Sequence, residues 1–212
     1  MASIYDFKPA FQRSLQPVMN RLHGWGIHPN QVTLWAIILS VTGGLLLLLA
    51  QEDRALLLTI PAILFVRMAL NALDGMLARQ TGQSTPWGAV LNELGDVVSD
   101  IALYLPLLVW TPGGLWMKLP VMAFVLLSLL SEFCGLLAQV LIGHRRYDGP
   151  MGKSDRAFLV GTVCLLMAGF PEIQRTLPLI LSVADVMLIS SCINRIRPIV
   201  RQSELSEGLQ KP

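Results

Sequence analysis

LFVRMALNALDGMLARQTGQSTPWGAVLNELGDVVSDIALY occupies residues 64–104, and its two halves set the terms for the rest of the chain. Each half is an apolar run crossed by polar residues at helical spacing, and residues 81–86 between them hold the breakers Gly82 and Pro86. In the first half Arg67, Asn71 and Asp74 are four and three residues apart, which puts them on one helix face. In the second, Asn92, Glu93, Asp96 and Asp100 fall within one arc of roughly 100° at 100° per residue. The other faces carry Leu, Val, Ala and Met. A soluble helix turns its apolar face inward; two helices apolar on most sides and charged on one turn the charge inward instead.

Working outward from this pair, the same apolar character continues in both directions. A membrane-crossing helix takes about 20 mostly apolar residues. Six stretches qualify: Val32–Ala50, Ala55–Ala78, Trp87–Trp110, Leu119–Ile142, Arg156–Phe170 and Leu177–Ile193. The composition agrees, with 53% hydrophobic and only 14% charged residues. That balance excludes a disordered chain, and with a net charge of +2 it leaves no ground for nucleic acid as a partner. Cys134, Cys164 and Cys192 sit singly in apolar stretches and read as buried small hydrophobes.

The expected architecture is therefore all-α and polytopic: residues 31–200 form one six-helix domain and residues 201–212 a cytoplasmic tail. Residues 1–30 lack the apolar core of a signal peptide. Phe7, Phe11, Leu15, Val18, Met19 and Leu22 recur at helical spacing among Lys8, Arg13 and Arg21, the pattern of an amphipathic helix lying in the interface, bent by Pro9 and Pro17. With the N-terminus inside, twelve basic residues face the cytoplasm against Arg54, Lys118 and Arg175 outside, so both termini are expected on the cytoplasmic side. A multi-pass protein of a bacterial inner membrane is the expected location, and a homodimer is one assembly that such helices adopt.

A charged side chain at membrane depth costs at least about 2.5–3.5 kcal/mol, so such groups face a cavity or a partner. Asp74 lies about 9 Å from the cytoplasmic end of its helix, and Asn92 and Asp96 about 8–14 Å into theirs, at 1.5 Å per residue. If the helices are neighbours, carboxylate and amide oxygens converge in a pocket open to the cytoplasm. Such hard donors suit Mg²⁺, Mn²⁺ or Ca²⁺ rather than zinc. The plain structural alternative is that Arg67 neutralises Asp74 and the remaining groups bond between helices.

Written as a pattern, the stretch is Asn71-x-x-Asp74-Gly75-x-x-Ala78-Arg79, eight residues, Gly88, three residues, Asn92, three residues, Asp96. This resembles the signature of the CDP-alcohol phosphotransferase (phosphatidyltransferase) family, D-x-x-D-G-x-x-A-R-x8-G-x-x-x-D-x-x-x-D. Pro29-Asn30-x-x-Thr33 is similar to the family's entry motif, and Gly152-Lys153 with Arg156 looks like its basic loop. The resemblance implies transfer of a substituted phosphate, commonly phosphatidyl, from a CDP-alcohol such as CDP-diacylglycerol to an acceptor alcohol, with release of CMP. It further implies one or two Mg²⁺ or Mn²⁺ ions held by Asn71, Asp74, Asn92 and Asp96, with Asp96 as general base. Gly75, Ala78, Arg79, Thr85 and Gly88 are implied to bind the donor, and Lys153 and Arg156 to suit a phosphate on the acceptor.

The chain departs from the signature at Asn71 and Asn92, where the family has aspartates. Each swap removes one negative charge. Either metal affinity falls, one ion suffices, or Glu93 and Asp100 on the same arc compensate. The alternative reading is a catalytically silent pseudoenzyme or regulatory membrane protein that retains the fold. A transporter would show internal symmetry or broken helices at mid-depth, and the sequence has neither.

Overall fold

A computed structural model describes the backbone of residues 8–208 and the side chains of residues 9–202. Phe7 and the Lys8 side chain of the expected amphipathic helix, and Lys211 among the twelve basic residues expected at the cytoplasmic side, lie outside the described residues. The described regular structure is helical: α1 (Lys8–Gly24), α2 (Pro29–Leu49), α3 (Thr59–Gln80), α4 (Pro86–Tyr104), α5 (Leu115–Ile142), α6 (Lys153–Gly169) and α7 (Ile173–Gly208). Tight 3-10 turns at Arg54–Leu58 and Leu105–Trp110 precede α3 and follow α4.

Four helical stretches are long and apolar enough to cross a membrane: Pro29–Leu49, Arg54–Gln80, Leu115–Ile142 and Ile173–Gln202. The two other expected spans fall short for separate reasons. Glu93, Asp96 and Asp100 interrupt the apolar run of α4, and α6 is only 17 residues long. Several helices outrun their apolar stretches. α7 begins before Pro178 and continues well past Ile193, and α5 starts ahead of Pro120. Hydropathy marks where the lipid-facing residues stop, whereas a helical backbone needs only its own hydrogen bonds to continue.

The expected single span over Trp87–Trp110 changes character at Pro106. Proline has no N–H to give to the carbonyl four residues back, here that of Ala102, and its ring crowds that carbonyl. The chain tightens there into the 3-10 turn. The backbone of Gly44 on α2 packs against the Ala102 carbonyl so closely that no side chain would fit between them. Trp110 completes this seam by donating from Nε1 to the Leu47 carbonyl at 2.9 Å. α2 thereby packs on both α3 and α4, while α5 packs along α7 and α3 against α6.

Burial is inverted relative to a soluble protein. Phe65, Leu126, Val140 and Leu179 are exposed, each above 55%, whereas Arg67, Asp100, Arg156 and Arg195 are at most 2% exposed. Apolar atoms have lower free energy in lipid, and charges there need partners. The chain is a membrane protein. Its main core runs through Leu47, Leu64, Leu103, Phe124, Val160 and Leu188.

A second, smaller cluster ties α1 to the bundle. Met19 and Leu22 pack with Val32, Leu73, Met76 and Leu77, and the Phe11 ring meets Phe65 edge-on at 5.9 Å. Met19 and Leu22, expected to face lipid, are therefore turned onto α2 and α3; Val18 stays exposed. α1 holds down the end of α3 that carries Asp74, Gly75 and Arg79.

Candidate active site

Helix α3 supplies Arg67, Asn71 and Asp74 from one face, and α4 begins six residues after α3 ends. The start of α4 is fixed locally. The Thr85 hydroxyl accepts the Gly88 N–H at 3.0 Å, and Pro86 occupies the first helical turn. A threonine cap followed by proline is a strong helix start. Thr85, expected to touch a donor nucleotide, thus has a structural task as well.

The two polar stripes meet. The Asn71 amide donates to Asp96 Oδ1 at 3.2 Å, and Lys153, at the start of α6, forms an ion pair with the same oxygen. Asp74 does not pair with Arg67. Its Oδ2 accepts from the Thr33 hydroxyl of α2 at 2.8 Å. The side chains of Asn92 and Arg79 make no hydrogen bond or ion pair among the described residues, so both stay available at the mouth of the site. The Arg79 guanidinium folds over Gly75, where an added Cβ would stand 3.3 Å from it; at Gly88 an added Cβ would meet Asn30 Oδ1 at 2.9 Å. Glycine keeps both helix surfaces low at this mouth. Ala78, between them on α3, is half-buried.

Beneath the mouth lies a chain of alternating charges. Arg67 bonds Asp100 at 2.6 Å, Arg156 bonds Asp100 at 2.9 Å and Glu132 at 3.0 Å, and Arg145 bonds Glu132 at 3.1 Å and also Glu93. Arg195 stands 3.9 Å from Glu132 and donates to the Ser131 and Asp148 carbonyls. Arg145 lies in the loop after α5. Burial works against its charge, but the hydrogen bond and charge of Glu93, with Glu132, outweigh it and raise its pKa.

Two expected roles shift in consequence. Asp100 is held between two guanidiniums and Glu93 by Arg145, so neither is free to supplement Asn71 and Asn92. Arg156 is wholly buried among acids, while Lys153 keeps a quarter of its side chain exposed. Arg195 joins the site without having been singled out for it, whereas Glu132, an acid within an apolar stretch expected to line the cavity or pair with a basic neighbour, pairs with Arg145 and Arg156. The available signal was Glu132 itself, an acid deep within an apolar helix that demands a cation. Asp185 stays outside the network, its Oδ1 buried without a hydrogen-bond partner among the described residues.

No group of three or more His, Cys, Asp or Glu suited to a metal occurs among the described residues. Asp74 and Asp96 with the amides of Asn71 and Asn92 make an all-oxygen donor set that fits a hard divalent cation such as Mg²⁺ or Mn²⁺. The Lys153 ammonium already pairs with Asp96, so this carboxylate is placed to hold positive charge.

The CDP-alcohol phosphatidyltransferase family model matches residues 26–194. The chain is 46% identical over 201 residues to "Inner membrane protein YnbA" of Escherichia coli, covering 95% of this chain and 98% of that protein. The fold is similar to the phosphatidylinositol phosphate synthase of Mycobacterium tuberculosis crystallised with manganese and citrate, with a TM-score of 0.71, 22% identity and coverage of 86% and 87%. A crystal structure of the same synthase with CDP-DAG bound gives a TM-score of 0.67 at 24% identity, covering 88% and 94%. At these identities the structural likeness is one of fold.

Proposed function

We propose, because this chain belongs to the CDP-alcohol phosphatidyltransferase family, that it is a membrane transferase moving a phosphatidyl or similar substituted phosphate from a CDP-alcohol to an acceptor hydroxyl, with release of CMP. The observation that carries the reading is the meeting of Asn71 and Asp96 across α3 and α4. It sets a carboxylate and amides beside a mouth kept low by Gly75 and Gly88. The fold's likeness to a synthase crystallised with CDP-DAG favours CDP-diacylglycerol as donor.

The chain's residues divide the work as follows. Gly75, Ala78 and Gly88 admit the nucleotide against the helix backbones, and Arg79 meets its phosphates with a fixed positive charge. Asp96, whose Oδ1 accepts from Asn71 and pairs with Lys153, is the base that takes the proton of the acceptor hydroxyl. As that proton moves, the acceptor oxygen bonds to the phosphorus bearing the alcohol. The bond from this phosphorus to its bridging oxygen breaks, and CMP leaves with that oxygen. A divalent cation held by Asp74, Asp96, Asn71 and Asn92 would offset the diphosphate charge and polarise the phosphorus under attack.

The acceptor is read as a phosphorylated alcohol. Of the two cations expected to meet its phosphate, Lys153 is the one with solvent access. The topology that accompanies this reading has six crossings, both termini cytoplasmic and the site opening to the cytoplasm. Asn71 and Asn92 stand at two of the family's four aspartate positions, and the activity is assigned with those amides in place.

A CMP-release assay tests the reading. It uses the purified chain in detergent with CDP-diacylglycerol, Mg²⁺ or Mn²⁺, and acceptors including glycerol 3-phosphate, inositol phosphate, inositol, serine and glycerol. CMP formed with one acceptor and lost in Asp96→Asn is the expected result. No CMP with any acceptor, from a protein that still binds the nucleotide, would favour a silent member of the family.

A further inference from the structure

We infer that this active site works with one divalent cation and that the ammonium of Lys153 supplies the second positive charge at Asp96. The inference rests on the transferase reading and deepens it.

The first support is the placement of Lys153. Its ammonium meets Asp96 Oδ1, the oxygen that also accepts from Asn71. One helical turn further along α6, Arg156 meets Asp100, one turn beyond Asp96 on α4. Two cations of α6 thus match two acids of α4 rung for rung, and Arg156 is wholly buried, so the register is fixed by packing. Lys153 is also the first residue of its helix. A cation there opposes the helix dipole, a cost that the Asp96 carboxylate offsets.

The second support is charge. The polar interior holds five carboxylates, of Asp74, Glu93, Asp96, Asp100 and Glu132. It holds five fixed cations, of Arg67, Arg145, Lys153, Arg156 and Arg195. With Lys153 in place it is already neutral. Before substrate binds, one divalent ion already leaves two surplus positive charges in this poorly screened interior and a second would leave four, where like charges repel strongly. The four candidate donor side chains agree, because Asn71 and Asn92 offer oxygen without charge.

The experiment is a Mn²⁺ titration of the full-length chain in detergent, following free Mn²⁺ by electron paramagnetic resonance. It compares wild type, Lys153→Gln, Lys153→Arg and the triple variant Asn71→Asp, Asn92→Asp, Lys153→Gln, with CMP release measured in parallel. Expected are one Mn²⁺ per wild-type chain, binding at least about tenfold tighter in Lys153→Gln because a nearby like charge is gone, unchanged binding in Lys153→Arg, and two Mn²⁺ in the triple variant. Any wild-type count other than one overturns the inference, as does a Lys153→Gln affinity equal to wild type, the result for a lysine that serves only an acceptor phosphate. If Lys153→Gln fails to fold, the wild-type count still decides. One bound ion without CMP release on any acceptor would sink the transferase reading and leave the ion count standing; two ions with CMP release would do the reverse.

Discussion

Arg67 and Asp100, 33 residues apart in the chain, approach to 2.6 Å with both side chains almost fully buried. Arg67 thus reaches across to α4 and does not pair with Asp74 on its own helix. Removing one partner of a buried pair costs about 3–5 kcal/mol, and Arg156 remains to neutralise Asp100, so Arg67→Met is expected to cost about 2–3 kcal/mol. Thermal unfolding in detergent checks this. A midpoint equal to wild type would mean that Arg156 alone suffices.

Asp96→Asn keeps the shape of the side chain and removes its basicity. The rate of CMP release is expected to fall by about 10²–10⁴-fold, the usual contribution of a general base. Lys153 loses its counter-charge in the same variant, so folding is monitored alongside. Residual turnover within a few-fold of wild type would assign the proton to another group.

Gly88→Ala adds a Cβ that meets Asn30 Oδ1 at 2.9 Å and the Thr85 hydroxyl at 3.1 Å. The alanine narrows the mouth where the nucleotide enters. The KM for the CDP-alcohol is expected to rise about tenfold, equivalent to about 1.4 kcal/mol of binding, with a smaller change in kcat. An effect confined to thermal stability would return Gly88 to a purely packing role.

Gly44→Ala collides with the Ala102 carbonyl, a backbone atom that cannot swing aside. Gly43→Ala meets the Leu103 and Ile63 side chains, which can shift. Overpacking of this kind costs about 1–3 kcal/mol, and the larger loss is expected at Gly44. Unfolding midpoints of the two variants, compared side by side, test the ranking.

The sequence announced its helices and the face that would matter, because a carboxylate in an apolar run can be recognised one residue at a time. Asp74 and Asp96 were legible for that reason, and Asn71 and Asn92 through the helix faces they share with them. Their partners were not. Thr33 reaches Asp74 across 41 residues and Arg156 reaches Asp100 across 56, and no local spacing encodes such meetings. Arg67 looked equally well placed for Asp74, and only the packing of α3 and α4 on their shared neighbour α2 decided for Asp100. α4 sits at the edge of what hydropathy can mark for a related reason: its acids dilute the apolar signal of the helix that carries them. The tightening at Pro106 was readable in principle from one proline, but the carbonyl it frees gains meaning only once Gly44 is known to lie opposite.

The alternating charges from Arg67 to Arg195 also impose an order on biogenesis. A chain made from its N-terminus delivers Arg67 first, then Glu93 and Asp100, then Glu132 with Arg145 soon after, and only afterwards Arg156 and Arg195. Until α6 arrives Asp100 has a single cation, and until α7 arrives Arg195 is missing beside Glu132. Until the last third of the chain has joined them, the early helices therefore carry charge without its full set of partners, which lipid disfavours.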